Sequence, residues 1–181
     1  MQGSVFNKDR LVLSMITTAI KKHKRALFIA MIILFAGSVN AQGVNLLKIN
    51  QLESRMKKGG DTVYVVNFWA TWCAPCIAEL PHFEKLQVEY KDQPLRVLLV
   101  SLDSKSKLEK LVIPFVKRNK LQAEVFLLNE SNEQEYIDRI SKEWSGALPA
   151  TLIYNRKKNI RSFYEKEFTY PELEKIYHSS K

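Results

Sequence analysis

The stretch FWATWCAPC, residues 68–76, holds both cysteines of this 181-residue chain. Cys73 and Cys76 are separated by two residues and lie beside two tryptophans. The segment that runs into this stretch, TVYVVNFW at residues 62–69, is β-branched, aromatic and nearly all apolar, which predicts a strand covered on both faces. Apolar residues at helical spacing predict a helix over residues 76–90. The cysteines are therefore expected at the carboxyl end of a buried strand.

Strands and helices alternate along the rest of the chain. This alternation implies a largely parallel sheet wrapped by helices, and a terminal hairpin adds an antiparallel pair of strands. The predicted fold class is therefore α/β, with a mixed central β-sheet flanked by helices. Functional sites of open α/β sheets form beyond the carboxyl ends of strands, where the cysteines are expected. The further predicted elements are helices over residues 50–58, 106–120, 131–144 and 169–180, strands over residues 95–102 and 123–128, and a hairpin of residues 149–155 and 159–167.

The beginning of the chain has the order of a secretory signal peptide. A basic segment, KKHKR, precedes twelve apolar residues (26–37), and small side chains follow at Val39 and Ala41. Because such a pattern is cleaved after the second small residue, we expect residues 1–41 to be a signal peptide and residues 42–181 to form one folded domain.

Two other interpretations of this segment stay open. The apolar run is shorter than the roughly 20 residues that a membrane-spanning helix needs. However, no charged residue lies between Arg25 and Lys48, so an N-terminal membrane anchor is the second interpretation, and a buried cytosolic helix is the third. Under the first two, the rest of the chain is exported to the periplasm or to an extracytoplasmic membrane face. Met15 is an alternative start, which would give a leader of more ordinary length.

The charge pattern argues against a nucleic-acid-binding protein. The formal charge is +9, from 28 basic and 19 acidic residues. Six of those basic residues and one of the acidic ones precede Gln42, which leaves 22 basic and 18 acidic residues and a charge of +4. The densest basic cluster, NRKKN at residues 155–159, is typical of a hairpin turn. Since no basic stripe with interleaved aromatic residues occurs, no nucleic-acid partner is expected.

Two close cysteines are compatible with three kinds of site. Structural zinc takes four ligands, commonly as two close pairs, and the histidines His23, His82 and His178 do not supply a second pair. A structural disulfide stabilises mainly by closing a loop of the unfolded chain, and this loop is too short to contribute much. The pattern therefore favours a redox-active pair, with no metal and no other cofactor expected.

The redox interpretation has a physical mechanism. The predicted helix places Cys73 at its amino end, where unpaired N–H groups and the helix dipole stabilise a thiolate. Cys76 lies one turn further in and is expected to be covered. Cys73 would then attack a partner disulfide, and Cys76 would resolve the mixed disulfide. Pro75 fixes φ and costs no hydrogen bond in a first helical turn. A C-x-x-C after a strand, in a strand–helix–strand pattern, is the signature of this chemistry.

The segment VVNFWATWCAPCIAELP, residues 65–81, resembles the active-site segment of thioredoxin-fold proteins. It is most similar to the exported TlpA/ResA-like thiol-disulfide oxidoreductases, whose W-C-x-P-C core matches residues 72–76. The E-x-P that follows in that subfamily matches at Glu79 and Pro81. The resemblance covers roughly residues 45–178. It implies a thioredoxin-like fold and the activity of a protein-disulfide reductase.

The resemblance also implies roles for residues outside the two cysteines. The family keeps a cis-proline in a loop that faces the cysteines, where Pro149 follows Leu148, and uses it as an extended edge for the partner's backbone. An ordinary trans proline is the alternative. Glu79 is nearly buried in similar proteins and handles the proton of the resolving cysteine; a solvated helix carboxylate is the alternative. Asn67 stands where ordinary thioredoxins carry a buried aspartate, and because Asn67 cannot titrate, the proton role passes to Glu79.

The two tryptophans are expected to differ in their surroundings, and the resemblance implies the partners. Trp69 is expected in the core, whereas Trp72 is expected to shape the exposed docking surface beside Cys73. The implied partners are protein thiols and disulfides of exported clients, such as apocytochrome c or metal-site thiols, and a membrane electron donor. The subfamily resemblance favours a reductant. An oxidant stays open, because potentials within this fold run from about −270 to about −120 mV.

Two other functional classes remain as alternatives. A non-catalytic client-binding or chaperone module would hold clients along the Pro149 edge without redox turnover, but the two intact cysteines argue against it. A peroxide-reducing relative would use a cysteine in a different local pattern, which C-A-P-C does not match.

Overall fold

The computed structural model describes residues 43–181, and the predicted signal or anchor segment, residues 1–41, lies outside these described residues. None of the helices within the described part combines the length and the apolar character that crossing a membrane requires. The elements, in chain order, are β1 (Asn45–Leu47), α1 (Ile49–Lys58), β2 (Val63–Trp69), α2 (Ala74–Glu89), β3 (Leu95–Ser101), α3 (Ile113–Asn119), β4 (Glu124–Leu128), α4 (Glu133–Ile140), β5 (Ala150–Asn155), β6 (Ile160–Tyr164) and α5 (Tyr170–Ser180).

Strand β2 lies inside a mixed six-stranded sheet with the order β1-β4-β3-β2-β5-β6. It pairs in parallel with β3 and antiparallel with β5. Strand β4 is parallel to both β3 and β1, and β6 is antiparallel to β5. All seven residues of β2 are buried, which is the position that its β-branched and aromatic side chains suit. The predicted mixed α/β sheet is confirmed.

The side chains of β2 alternate between two apolar cores, one on each face of the sheet. Val65 and Trp69 lie in a core shared with α2, α3 and α5. Val66 and Phe68 lie in a second core, shared with α1 and α4. Full burial of one such side chain stabilises the fold by about 1.5–3 kcal/mol, so both faces hold the strand in place. Because side chains alternate along a strand, Asn67 falls on the face that carries α2.

Helix α4 is shorter than the predicted helix over residues 131–144. Its N-cap is Asn132, whose side chain accepts a backbone N–H of the first turn at 3.2 Å, so the helix begins after residue 131. After the helix ends, the chain places the ring of Trp144 in the core, where it packs on Phe68 with ring centroids 5.1 Å apart. The helix thus ends at Ile140, and the chain after it turns so that Trp144 can pack in the core.

Three other local features differ from a simple sequence pattern. Strand β1 was not predicted, because three residues are too few to show a period; its pairing with β4 defines it. The predicted helix over residues 106–120 is divided into a 3₁₀ turn (Lys105–Lys107), a π-helical turn (Leu108–Val112) and α3. Pro114 lies in the first turn of α3, as expected for a helix that restarts there. Helix α2 runs unbroken through Pro81.

Candidate active site at the end of the central strand

The turn after β2 presents Cys73 at the start of α2. Cys73 is the N-cap of this helix, in an extended conformation, and its N–H donates to the carbonyl oxygen of Ala70 at 3.1 Å. Its Sγ accepts the backbone N–H of Cys76 at 3.3 Å. One of the N–H groups that a helix leaves unpaired at its start is therefore directed at this sulfur. Pro75 lies in the first turn, where its missing N–H is not needed.

The two sulfurs are bonded to each other in a disulfide. Cys76 is fully buried and Cys73 is 6% exposed. The predicted order of exposure is confirmed, but the Cys73 sulfur is less open than expected because it is bonded to a buried partner. Trp72, directly before it, is 71% exposed, and Trp69 is fully buried, as predicted for each. The disulfide therefore lies at the edge of the core, with the exposed ring of Trp72 next to it in the chain.

Glu79 lies three residues after Cys76 on α2. Residues at this spacing share one face of a helix, and the Glu79 side chain is fully buried. Its carboxylate accepts the Nδ2–H of Asn67 at 2.7 Å and the backbone N–H of Phe168 at 2.8 Å. Burial raises the pKa of Glu79 to about 7; the two hydrogen bonds oppose this rise, and the charge of Glu167 adds to it. The alternative of a solvated carboxylate is wrong, and the group changes protonation near neutral pH.

Asn67 connects the central strand to this carboxyl group. Its Nδ2 also lies 3.2 Å from Oγ1 of Thr151, and both side chains are fully buried. The Oδ1 of Asn67 has no hydrogen-bond partner among the described residues. The described hydrogen bonds of the Asn67 side chain are therefore both made by its Nδ2, to Glu79 and to Thr151.

Two contributors to this network, Thr151 and Phe168, were not predicted from the sequence. Thr151 comes into register with Asn67 through the pairing of β5 with β2. Phe168 contributes only its backbone N–H, from the loop before α5. No motif signals either one, because both depend on which strand and which loop pack beside β2.

The Leu148–Pro149 peptide bond is cis, as the resemblance implied. Pro149 directly precedes β5, and its neighbour Ala150 is paired with Phe68 near the carboxyl end of β2. Because β5 runs antiparallel to β2, Pro149 lies at the same end of the sheet as Cys73. Leu148 is partly buried and packs against both cores. The structure thus brings this predicted edge and the cysteines to one end of the sheet.

Asp103, which was not predicted as a site residue, holds the turn that carries Trp72. Its Oδ2 accepts the backbone N–H of Thr71 at 2.9 Å, and its Oδ1 accepts the Thr71 hydroxyl at 2.7 Å. The hydroxyl of Ser101 donates to Oδ2 at 2.8 Å. Its position could be anticipated, since Asp103 lies just after β3, and β3 ends beside β2.

The described residues bring together no metal-binding cluster. Within residues 43–181, no group of three or more histidine, cysteine, aspartate or glutamate side chains is placed to hold a metal ion. His178 instead lies with its Nε2 3.0 Å from the hydroxyl of Tyr90. The site instead combines the sulfurs of Cys73 and Cys76, the buried carboxyl group of Glu79 and the loop that contains Pro149.

Comparison with known sequences agrees with this geometry. The model of the AhpC/TSA family matches residues 38–163. The chain is 34% identical over 110 residues to thioredoxin-like protein YneN of Bacillus subtilis, a match that covers 61% of this chain and 60% of YneN. It is 51% identical over 39 residues to thiol-disulfide oxidoreductase ResA of Oceanobacillus iheyensis, covering 22% of this chain and 20% of ResA. The chain therefore matches less than two thirds of the length of these relatives.

Solved structures are similar over a larger share of their length. The thioredoxin-related protein from Neisseria meningitidis serogroup B has a TM-score of 0.56 and 25% identity, covering 65% of this chain and 85% of that one. StoA from Bacillus subtilis has a TM-score of 0.52 and 22% identity, covering 64% and 82%. The predicted thioredoxin-like fold is confirmed, and so is the resemblance inferred from residues 65–81.

Proposed function

The chain belongs to the AhpC/TSA family, and we propose that it is a thiol-disulfide oxidoreductase that exchanges disulfides with protein partners through Cys73 and Cys76. One observation carries the proposal: the disulfide at the start of α2 is followed by a buried carboxyl group, Glu79, with a pKa of about 7. A purely structural disulfide has no need of such a group, whose burial costs stability when it ionises. The relatives named thiol-disulfide oxidoreductases support the same activity.

The first step uses the reduced pair. The Cys76 N–H and the positive end of the α2 dipole stabilise a thiolate at Cys73. This thiolate attacks one sulfur of the partner's disulfide. The partner's S–S bond breaks, its second sulfur leaves as a thiolate that takes a proton from solvent, and Cys73 is left in a mixed disulfide with the partner.

The second step releases the partner. The buried thiol of Cys76 passes its proton to the carboxylate of Glu79, which shares its helix face and has a pKa suited to a base at neutral pH. The Cys76 thiolate then attacks the Cys73 sulfur and breaks the mixed disulfide. The partner's remaining sulfur leaves as a thiolate, and the Cys73–Cys76 disulfide forms. Two electrons have then passed from the protein to its partner.

The partner's backbone binds along the Leu148–Pro149 edge, at the end of the sheet that also carries the exposed ring of Trp72. Pro149 has no N–H, so this edge offers carbonyl groups and apolar surface without a competing donor. Asn67 and Pro75 act in support: Asn67 positions the Glu79 carboxylate, and Pro75 fixes the first turn behind Cys73.

The proposal extends to the direction of exchange and to the location of the protein. Residues 1–41 export the domain of residues 42–181, as a cleaved signal peptide or as a membrane anchor, to the periplasm or an extracytoplasmic membrane face. The protein acts there as a reductant on exported clients such as apocytochrome c or metal-site thiols. A membrane electron donor restores its dithiol. The resemblance of residues 65–81 to exported reductants supports this part.

A trapping experiment tests the activity and the two sulfur roles together. Cys76→Ala removes the resolving thiol, so mixed disulfides with client proteins should accumulate and disappear on treatment with dithiothreitol. Cys73→Ala is the matched control; it also keeps one cysteine, but the buried Cys76 should trap no client. Non-reducing gels followed by mass spectrometry measure both. Trapping by neither variant, or stronger trapping by Cys73→Ala, would contradict the assigned roles.

The reduction potential of the Cys73–Cys76 couple tests the direction of exchange. Equilibration of the purified protein against glutathione buffers should give a value near the reducing end of the thioredoxin fold range, about −270 mV. A value near about −120 mV would make the protein an oxidant and overturn the reductant proposal while leaving disulfide exchange intact.

A further inference from the structure

A groove lies beside the disulfide, and of the side chains that line it only Trp72 has a role in the exchange described above. It is lined by Thr71 and Trp72, which directly precede Cys73, and by side chains of the helical turns over residues 107–118. Its volume is about 450 Å³, within the range of protein ligand pockets, about 300–1,000 Å³. Trp72 is exposed and Leu111 is 44% exposed, so two large apolar side chains of this groove face solvent.

Three positive charges line the same groove. Lys107, Lys110 and Arg118 are all exposed. None of the three forms an ion pair with a carboxylate of residues 43–181. Clustered charges of one sign repel one another and attract a ligand of the opposite sign. The groove therefore combines apolar contact area with three cations that form no ion pair among the described residues.

Asp103, the one acidic residue among those lining the groove, forms no ion pair with these cations. It is 3% exposed, and its carboxylate is occupied by the hydrogen bonds from Thr71 and Ser101. Asp103 thus fixes the turn beside the groove, and the three cations are what an incoming molecule meets.

We infer that this groove binds the client polypeptide next to its reacting disulfide and selects clients in which acidic and apolar residues flank that cysteine. The inference rests on the proposed function and adds a substrate preference to it. Apolar client side chains would contact Trp72 and Leu111, and client carboxylates would pair with Lys107, Lys110 and Arg118. Because Trp72 is the residue before Cys73, a client held here has its disulfide beside the attacking sulfur.

The position of the groove favours a reacting polypeptide over an anionic membrane surface. A membrane that covered Trp72 would also cover the accessible side of the disulfide and exclude the client. A polypeptide in the groove instead brings its own sulfur to Cys73. Charge complementarity of this kind acts mainly on the rate of association and on the choice of partner.

Two model substrates test the preference. Both are peptide disulfides of equal length with leucine near the cysteine; one has aspartate and glutamate as flanking residues and the other has lysine. The reduced full chain should reduce the acidic peptide about tenfold faster at low ionic strength. The ratio should fall several-fold at about 0.5 M salt, because the screening length shrinks from about 10 Å at 0.1 M to 3 Å at 1 M. This measurement needs no variant.

Charge reversal locates the effect. Combining Lys107→Glu, Lys110→Glu and Arg118→Glu should reverse the preference between the two peptides. A matched control combines Lys91→Glu, Lys158→Glu and Lys175→Glu, three exposed lysines outside the groove, and makes the same change in net charge. The control should keep the wild-type preference. Both combined variants should reduce the small neutral disulfide of mercaptoethanol at the wild-type rate.

Each other outcome has a definite meaning. Equal rates for the two peptides at low salt would overturn the inference and leave the proposed exchange activity standing. Reversal of the preference in the control variant as well would assign it to net charge, which also overturns the inference. If the groove variant loses binding to phosphatidylglycerol vesicles but keeps the acidic preference, the groove is a membrane contact and the inference fails. If the protein reduces neither peptide and does not reduce the mercaptoethanol disulfide, the proposed function is overturned, and the inference with it.

Discussion

The two tryptophans beside the cysteines lie three residues apart in opposite surroundings. Trp69 is fully buried and packs on Phe115, with ring centroids 5.1 Å apart, whereas Trp72 stands in solvent at the groove. The two sulfurs show a weaker form of the same contrast. Cys76 lies in the core, and Cys73 reaches its edge. One short stretch of chain therefore crosses from the interior to the surface within a single turn.

This contrast separates two tasks. The buried half, with Cys76, Glu79 and Asn67, is where removal of water raises the pKa of Glu79 and makes proton transfer near pH 7 available. The exposed half consists of Trp72, which stands in solvent, and of Cys73, which lies at the edge of the core, and it is where a partner disulfide can arrive. Substitutions in the buried half should therefore change stability and pH dependence, and those in the exposed half should change the choice and rate of partners.

The largest effect on stability is expected from Trp69→Ala. The substitution leaves a large cavity between β2 and α3, and aromatic-to-alanine changes in cores typically cost about 3–5 kcal/mol. Trp69 Nε1 has no hydrogen-bond partner within the described part of the chain, so the loss comes from packing rather than from a broken hydrogen bond. Urea denaturation of the oxidised protein measures it. A cost below about 1 kcal/mol would show that the buried half tolerates rearrangement. The two halves would then not differ in how strongly their side chains contribute to stability.

Glu79→Gln should remove a pH dependence of stability. The pKa of Glu79 is about 7 in the folded protein and 4.5 in the unfolded chain. Below pH 4.5 both states are protonated and the contribution to stability is complete; between pH 4.5 and 7 the unfolded chain releases its proton first, and about 3 kcal/mol is lost. Glutamine stays neutral, so this loss should disappear. Urea denaturation of the oxidised forms across pH 4–9 measures it, and an identical slope in wild type and variant would contradict the raised pKa.

Glu84→Gln is the matched control for the catalytic part of this prediction. Burial also raises the pKa of Glu84, which lies on the same helix and accepts the backbone N–H groups of Gln122 and Ala123. Only Glu79→Gln should slow resolution of the mixed disulfide, in a pH-dependent way, because only Glu79 lies one helical turn from Cys76. Equal slowing in both variants would reduce Glu79 to a structural role.

Asn67→Leu should move the titration of Glu79 upward. The Asn67 hydrogen bond lowers the pKa of Glu79 against the effect of burial, so its loss should raise that pKa above 7, by roughly one unit. The pH at which the carboxyl group ionises can be followed by difference infrared spectroscopy. An unchanged midpoint would mean that burial and the Phe168 N–H set the pKa of Glu79 without a contribution from Asn67.

The sequence predicted those parts of the molecule that depend on local chemistry. The burial of β2, the position of Cys73 at a helix start and the contrast between Trp69 and Trp72 follow from residue type and spacing. The resemblance added the cis bond at Pro149 and the burial of Glu79. Thr151, Asp103 and the Phe168 N–H could not be predicted with the same ease, because their contacts join segments that are 32 to 89 residues apart. Such contacts depend on strand order and loop packing, for which the chain carries no local pattern.

Trp72→Ala should have the smallest effect on stability, and it tests the exposed half most directly. An exposed side chain with few contacts contributes within about 0.5 kcal/mol to the free energy of unfolding. Exposed aromatic residues often contribute strongly to binding, so reduction of a polypeptide disulfide should slow severalfold while reduction of the mercaptoethanol disulfide stays unchanged. Parallel assays of the two substrates measure the difference. Equal slowing of both would mean that Trp72 acts on the reactivity of Cys73 rather than on docking. The exposed half would then not be the part of the site that recognises the partner.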